Sequence, residues 1–191
     1  MPTRAEILDI LSASRTKVMA FFQGLSPQDL ERPATASDVP GAEPWCAKDH
    51  LAHLVQNERN IQHLLRCSLA GDSRDVFLRS QYPAGMPLPR ILGDWNALSP
   101  EEQEQLERAA ARINQTSRNA HQDDTLELLA ADFLAARQDT LNLLQQFTDE
   151  QLAASVPTVV GEASAADLIA GRAGHADEHM TLIKEGLRQD G

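Results

Sequence analysis

The two halves of the chain repeat one another, and this repeat constrains the fold more than any single motif. A shift of 122 residues places Arg15 on Arg137, Leu25 on Phe147 and the segment SPQDL on TDEQL. Beyond that turn the shift falls to 118, which sets Cys46 on Ser164, Asp49 on Asp167 and Leu51 on Ile169. Each half therefore reads as a long helix, a short capped turn, a loop and a second long helix. Two such halves predict a four-helix bundle with pseudo-twofold symmetry. Any two amphipathic helices align passably, so the shared turn carries more of this argument than the matched arginines.

Apolar spacing and caps delimit the helices. Thr3 and Glu6 have capping-box spacing, and Ile7, Leu8, Leu11, Val18 and Phe22 follow up to a stop at Gly24. Ser26 and Pro27 open a short turn. After the breaker-rich loop TASDVPGAEPW, a second long helix begins near Cys46 and ends at Gly71, with Leu51, Leu54, Val55, Ile61 and Leu65 as its stripe. A third follows Asp124 through Leu126, Leu129, Phe133, Leu141 and Leu144 to Phe147. A fourth starts at Ser164 and carries Leu168, Ile169, Ala173, Leu182 and Ile183. Residues 72–124 read differently: a short helical piece at 75–79, the loop QYPAGMPLPR, and a polar helix capped by Ser99 with Glu102. The expectation is one all-α domain over residues 1–191, a four-helix bundle with a helical insertion between its second and third helices.

Charge and cysteine content narrow the partners. A net charge of -11 repels polyanions, and no run of four basic residues offsets it, which argues against nucleic acid. Cys46 and Cys67 are too few and too irregularly placed for a disulfide framework or a zinc knuckle, so both are expected to be reduced. Charges interrupt the apolar positions of MPTRAEILDILSASR, and no later run is long enough to span a bilayer. The chain thus reads as a soluble, cytoplasmic protein without a membrane partner.

His175 and His179 stand four apart in the last helix, so their imidazoles project from one face and can reach one ion. A third ligand has to come from elsewhere, with His50, His53, His63 and His121 as the candidates. Position relative to the repeat favours the first turns of the second helix, the counterpart of the fourth. On a helical wheel His53 lies off the centre of its apolar stripe, and His175 and His179 lie at the edge of theirs. This predicts a cleft at the side of the bundle, with coordination positions left open.

The segments PWCAKDHLAHLVQNE and ASAADLIAGRAGHADEHMTLI resemble the two signature helices of the DinB-like superfamily. The resemblance spans the first two and last two long helices and leaves the insertion unmatched. It implies a bundle, commonly dimeric, that holds zinc, nickel or iron with three histidines, one from the second helix and two from the fourth. Those positions correspond to His53, His175 and His179. Some relatives, including the mycothiol-dependent maleylpyruvate isomerases, have Glu at the position of His175, so this chain falls on the three-histidine side. The implied activity is transfer of a low-molecular-weight thiol to an electrophilic small molecule, the metal lowering the pKa of the nucleophile. A metal-assisted hydrolase using bound water is the nearest alternative. A stress-related metal-binding or dimerisation protein without catalysis is a third reading.

Arg172, one turn before His175, is a candidate anchor for a substrate carboxylate and equally a surface residue. Asp49 suits either orientation of His53 or the positive end of its helix dipole. Glu58 and Glu178 read as solvated, Cys46 as a cap rather than a nucleophile, and Trp45 as a staple at the helix start. Carboxylate di-iron bundles need Glu three residues before His, which none of the six histidines has. The zincin motif fails because Ala176 follows His175, and no GxSxG, P-loop or dinucleotide fingerprint occurs.

Overall fold

The helices begin where capping side chains stand ready. Thr3 and Glu6 close a capping box at the head of α1 (Arg4–Gln23), the Thr3 N–H donating to the Glu6 carboxylate at 2.7 Å. A cap of this kind is worth about 1 kcal/mol. The computed structural model describes residues 1–37, 43–71, 95–158 and 161–189. In it, Ser26 caps a short helix, α2 (Pro27–Glu31). A two-stranded antiparallel hairpin of β1 (Pro33–Thr35) and β2 (Trp45–Cys46) then leads into α3 (Ala47–Leu69). Gly71 lies just past α3 at φ +72°, a left-handed conformation in which a side chain would be strained. The insertion contributes a 3₁₀ turn at Trp95–Ala97 and α4 (Pro100–His121), capped by Ser99 and Glu102 as expected. The helical piece expected at 75–79 and the loop at 81–90 lie outside the described residues.

The second half repeats the order of the first: α5 (Leu126–Leu144), α6 (Asp149–Ala153), β3 (Ser155–Thr158) paired antiparallel with β4 (Gly161–Ser164), and α7 (Ala165–Gln189). Thr125 and Thr148 cap α5 and α6 at the positions matching Thr3 and Ser26, and Ser164 accepts from the Asp167 N–H at the head of α7. The change of offset from 122 to 118 falls inside the hairpins. Thr35 and Trp45 are paired across a long connection, whereas Thr158 and Gly161 are paired across a short one. The hairpins stand where the sequence suggests only loops. Strands of two to four residues carry too little alternation to register as a period.

Two apolar clusters fill the bundle. One is built on Ile7, Leu11, Leu65, Leu144 and Ile169, the other on Val18, Phe22, Leu51, Phe133 and Ile183. Along each helix the two are separated by polar positions, and the buried ones join up: Glu58 and Gln62 from α3 meet Arg137 and Thr140 from α5. Arg137 Nη2 lies 2.7 Å from Glu58 Oε1, the Thr140 hydroxyl donates to Glu58 Oε2 at 2.5 Å, and the Gln62 amide donates to Thr140 Oγ1 at 3.0 Å. Glu58 is therefore not solvated, contrary to expectation. Its position on α3 alone does not reveal a guanidinium arriving from α5.

The insertion helix α4 packs on α3, with Leu106 and Ala109 in the same apolar cluster as Leu64 and Leu65. Arg118 ties it down, its guanidinium 3.1 Å from Asp49 and donating to the carbonyls of Glu43 and Pro44. No helix among the described residues is long and apolar enough to cross a membrane.

Candidate metal centre

α3 and α7 pass each other in opposite directions, so that His53 meets His175 and His50 meets His179. The Nε2 atoms of His53 and His175 are 3.2 Å apart. One ligand atom from each of His53, His175 and His179 lies within 4.8 Å of the others, all three side chains being half-buried. The three histidines predicted from the sequence are thus brought together, and they can hold a metal ion. The donor set suits one, because imidazole nitrogens are common ligands of metal ions in proteins.

Burial depresses two of these imidazoles. His53 falls to about 4 and His175 to about 3, desolvation being the main cause and the neighbouring His179 the next. Both are neutral at neutral pH, which leaves a lone pair for a ligand. The Asn114 side chain hydrogen-bonds the His53 ring and opposes part of that shift. Glu178 stays in solvent, its carboxylate 3.9 Å from His175 Nδ1.

The cluster opens on a cavity of about 580 Å³ at the side of the bundle, as the helical wheel suggests. Trp45 from β2 stands over the rings of His50 and His53, at 5.3 and 5.5 Å between centroids, and Thr35, Ala36 and Leu182 complete that wall. Asn57 with Ala110 and Asn114 of α4 also line the cavity. The insertion, which has no match in the resemblance, is therefore part of the site. Trp45 does more than staple a helix start, and Asn57 and Asn114 carry no sequence signal beyond their polarity.

The remaining candidates take other places. Arg172 donates to Asn57 Oδ1 and to the Leu168 carbonyl, so its guanidinium stands behind Asn57 rather than among the residues lining the cavity. Asp49 accepts from the Cys46 N–H at 2.8 Å and pairs with Arg118, which makes it a cap and a tether for α4 rather than a partner of His53. Burial pushes the Cys46 thiol up, so it is not an activated nucleophile. His63 is exposed near Cys67, and His121 Nδ1 bonds Asp124 at 2.6 Å, both apart from the cluster. A second, polar cavity of about 370 Å³ beside α4 has its cations paired, Lys48 with Glu31 and Arg118 with Asp49.

The repeat builds the scaffold without duplicating the site. At the 118-residue offset, His50 and His53 correspond to Leu168 and Gly171, and His175 and His179 to Asn57 and Ile61. A symmetry-related three-histidine centre would need imidazoles where the chain has Gly171, Asn57 and Ile61.

Fold and site together define a repeated four-helix bundle with one three-histidine cluster on a lateral cavity. No known family profile matches the chain, and no curated protein matches it in sequence. Two solved structures share its fold. An uncharacterised protein from Escherichia coli UTI89 is 13% identical with a TM-score of 0.63, over 98% of this chain and 94% of that one. The sibling lethal factor precursor DfsB is 18% identical with a TM-score of 0.59, over 100% of this chain and 98% of that one. At these identities the likeness concerns the fold alone.

Proposed function

We propose that the protein is a metal-dependent enzyme of the DinB-like kind that transfers a low-molecular-weight thiol to an electrophilic small molecule. The observation carrying this reading is the convergence of His53, His175 and His179, with ligand atoms within 4.8 Å of one another, on the wall of an open cavity. A divalent ion held there would supply a Lewis acid that lowers the pKa of a bound thiol toward neutrality. The protein's own residues do the rest. Trp45, Ala36, Ala110 and Leu182 give the cavity apolar walls, while the amides of Asn57 and Asn114 place polar groups in it beside the substrate. Arg172 holds Asn57 in place and adds positive potential behind it, which suits a substrate with an anionic end.

Among the described residues lining the cavity none carries a carboxylate. Hydrolysis by a bound water is usually served by such a group taking the water's proton, whereas a thiol needs only to lose its own more acidic one. This favours the thiol over the hydrolase alternative. Elemental analysis of protein purified without an affinity tag should find one zinc, nickel or iron per chain, and thiol consumption with an electrophile should depend on that metal. Protein free of metal after purification and unable to take it up would overturn the reading. Turnover of the electrophile at equal rate without thiol would turn it into a hydrolase.

A further inference from the structure

His50 is the one fully buried histidine among the described residues, at 2 % exposure, and both of its ring nitrogens are engaged. Nδ1 lies 2.7 Å from Nδ1 of His179, and Nε2 lies 2.9 Å from the Thr35 hydroxyl. Neither nitrogen is left for an ion, so His50 is not a fourth ligand. A neutral histidine that ligates through Nε2 carries its proton on Nδ1. For His179 that proton points at His50 Nδ1, which then must accept. His50 accordingly carries its own proton on Nε2 and donates to Thr35 Oγ1. With His179 ligating through Nε2, the three groups admit one direction of donation, ending on a hydroxyl that accepts.

From this geometry we propose that His50 is a positioning residue for the metal centre, fixing the tautomer and ring plane of His179 so that Nε2 is turned to the ion. Thr35 anchors His50 in turn, from strand β1. The ring of His50 is also confined sterically, since Trp45 meets it edge-on at 5.3 Å. The hairpin is brought within reach because α7 has no side chain at Gly186, where a Cβ would fall 1.6 Å from the Ala34 carbonyl oxygen. A ligating imidazole usually gives its second N–H to a carboxylate, a carbonyl or water. Here a second histidine takes that role, which keeps the support uncharged and compatible with its burial.

The inference deepens the three-histidine reading and rests on it. The test is cobalt(II) titration of the full chain, following both affinity and visible absorption, in wild type, His179→Ala, His50→Phe, Thr35→Val and Thr35→Ser. Wild type should bind one cobalt and His179→Ala should not. His50→Phe should still bind, about 10- to 100-fold more weakly, with a shifted absorption band that reports the freed ring. Thr35→Val should move both readouts the same way, and Thr35→Ser should restore them. If His50→Phe fails to fold, the Thr35 pair decides alone. Wild-type affinity and spectrum in His50→Phe and Thr35→Val overturn the proposal while leaving the three ligands standing, and so does a loss in folded His50→Phe equal to that of His179→Ala. Wild-type protein that binds no cobalt overturns both readings.

Discussion

Glu58 of α3 and Arg137 of α5 form an ion pair at 2.7 Å in the polar layer between the two apolar clusters, with side chains 3% and 1% exposed. Arg137 is also the residue that the repeat matches to Arg15, which is only half-buried. The repeat thus conserves an arginine while the two halves use it differently. Glu58→Ala strands a guanidinium in the core, and unfolding in urea should show a loss of about 3 to 5 kcal/mol. Replacing both, Glu58→Leu with Arg137→Met, removes the stranded charge and should lose less than Glu58→Ala alone. A loss below about 1 kcal/mol in the single variant would mean that the layer relaxes to admit water.

The helices were legible because their signals are local. Thr3 with Glu6 and Ser99 with Glu102 announce a helix within four residues, and the TDEQL turn announces the repeat. His175 and His179 were legible for the same reason, four residues apart on one face. What stayed hidden depends on contacts between distant segments. Glu58 gives no sign of Arg137, nor His53 of Asn114, and apart from the family resemblance nothing separates His53 from His50 until the rotation of α3 against α7 is known. The hairpins are hidden by their shortness, although the first of them carries Thr35 and Trp45 to the site.

Gly186→Ala tests whether hairpin and α7 must touch. The added methyl group would overlap the Ala34 carbonyl oxygen, a backbone atom that cannot rotate away, so the hairpin has to lift. Overpacking of this kind costs about 1 to 3 kcal/mol. The melting temperature should fall, and metal affinity should fall with it as Thr35 withdraws from His50. A fall in stability with metal affinity unchanged would separate the hairpin from the site.

The depressed imidazoles make the metal-free fold sensitive to acid. Unfolded histidines protonate near pH 6.5, whereas in the fold His53 is held to about 4 and His50 and His175 to about 3, chiefly by burial. Between these values the unfolded chain binds more protons, so stability rises with pH and is lost on acidification from about 6.5 downward. Each imidazole kept neutral adds a slope of about 1.4 kcal/mol per pH unit. Urea unfolding of chelator-treated protein at pH 7 and pH 5 should show the decline, and His175→Gln should make it shallower. Equal stability at the two pH values would contradict the burial of these rings.

A metal held by His53, His175 and His179 would join α3 to α7, two helices whose ligand positions are 122 residues apart for the closest pair. Binding that requires both helices in place stabilises only the folded chain, by about 2.7 kcal/mol at a free metal concentration 100 times the dissociation constant. Zinc or nickel should therefore raise the melting temperature of the chelator-treated protein by several degrees. His53→Ala removes the only ligand contributed by α3 and should abolish the increase, although its fold in the absence of metal is kept by the same apolar clusters. His63→Ala, on the same helix but exposed and away from the cluster, should leave the increase intact. The comparison is informative because α7 retains its own pair in both variants. If His175 and His179 alone sufficed, the metal would bind within one helix, and His53→Ala would melt like wild type with and without it.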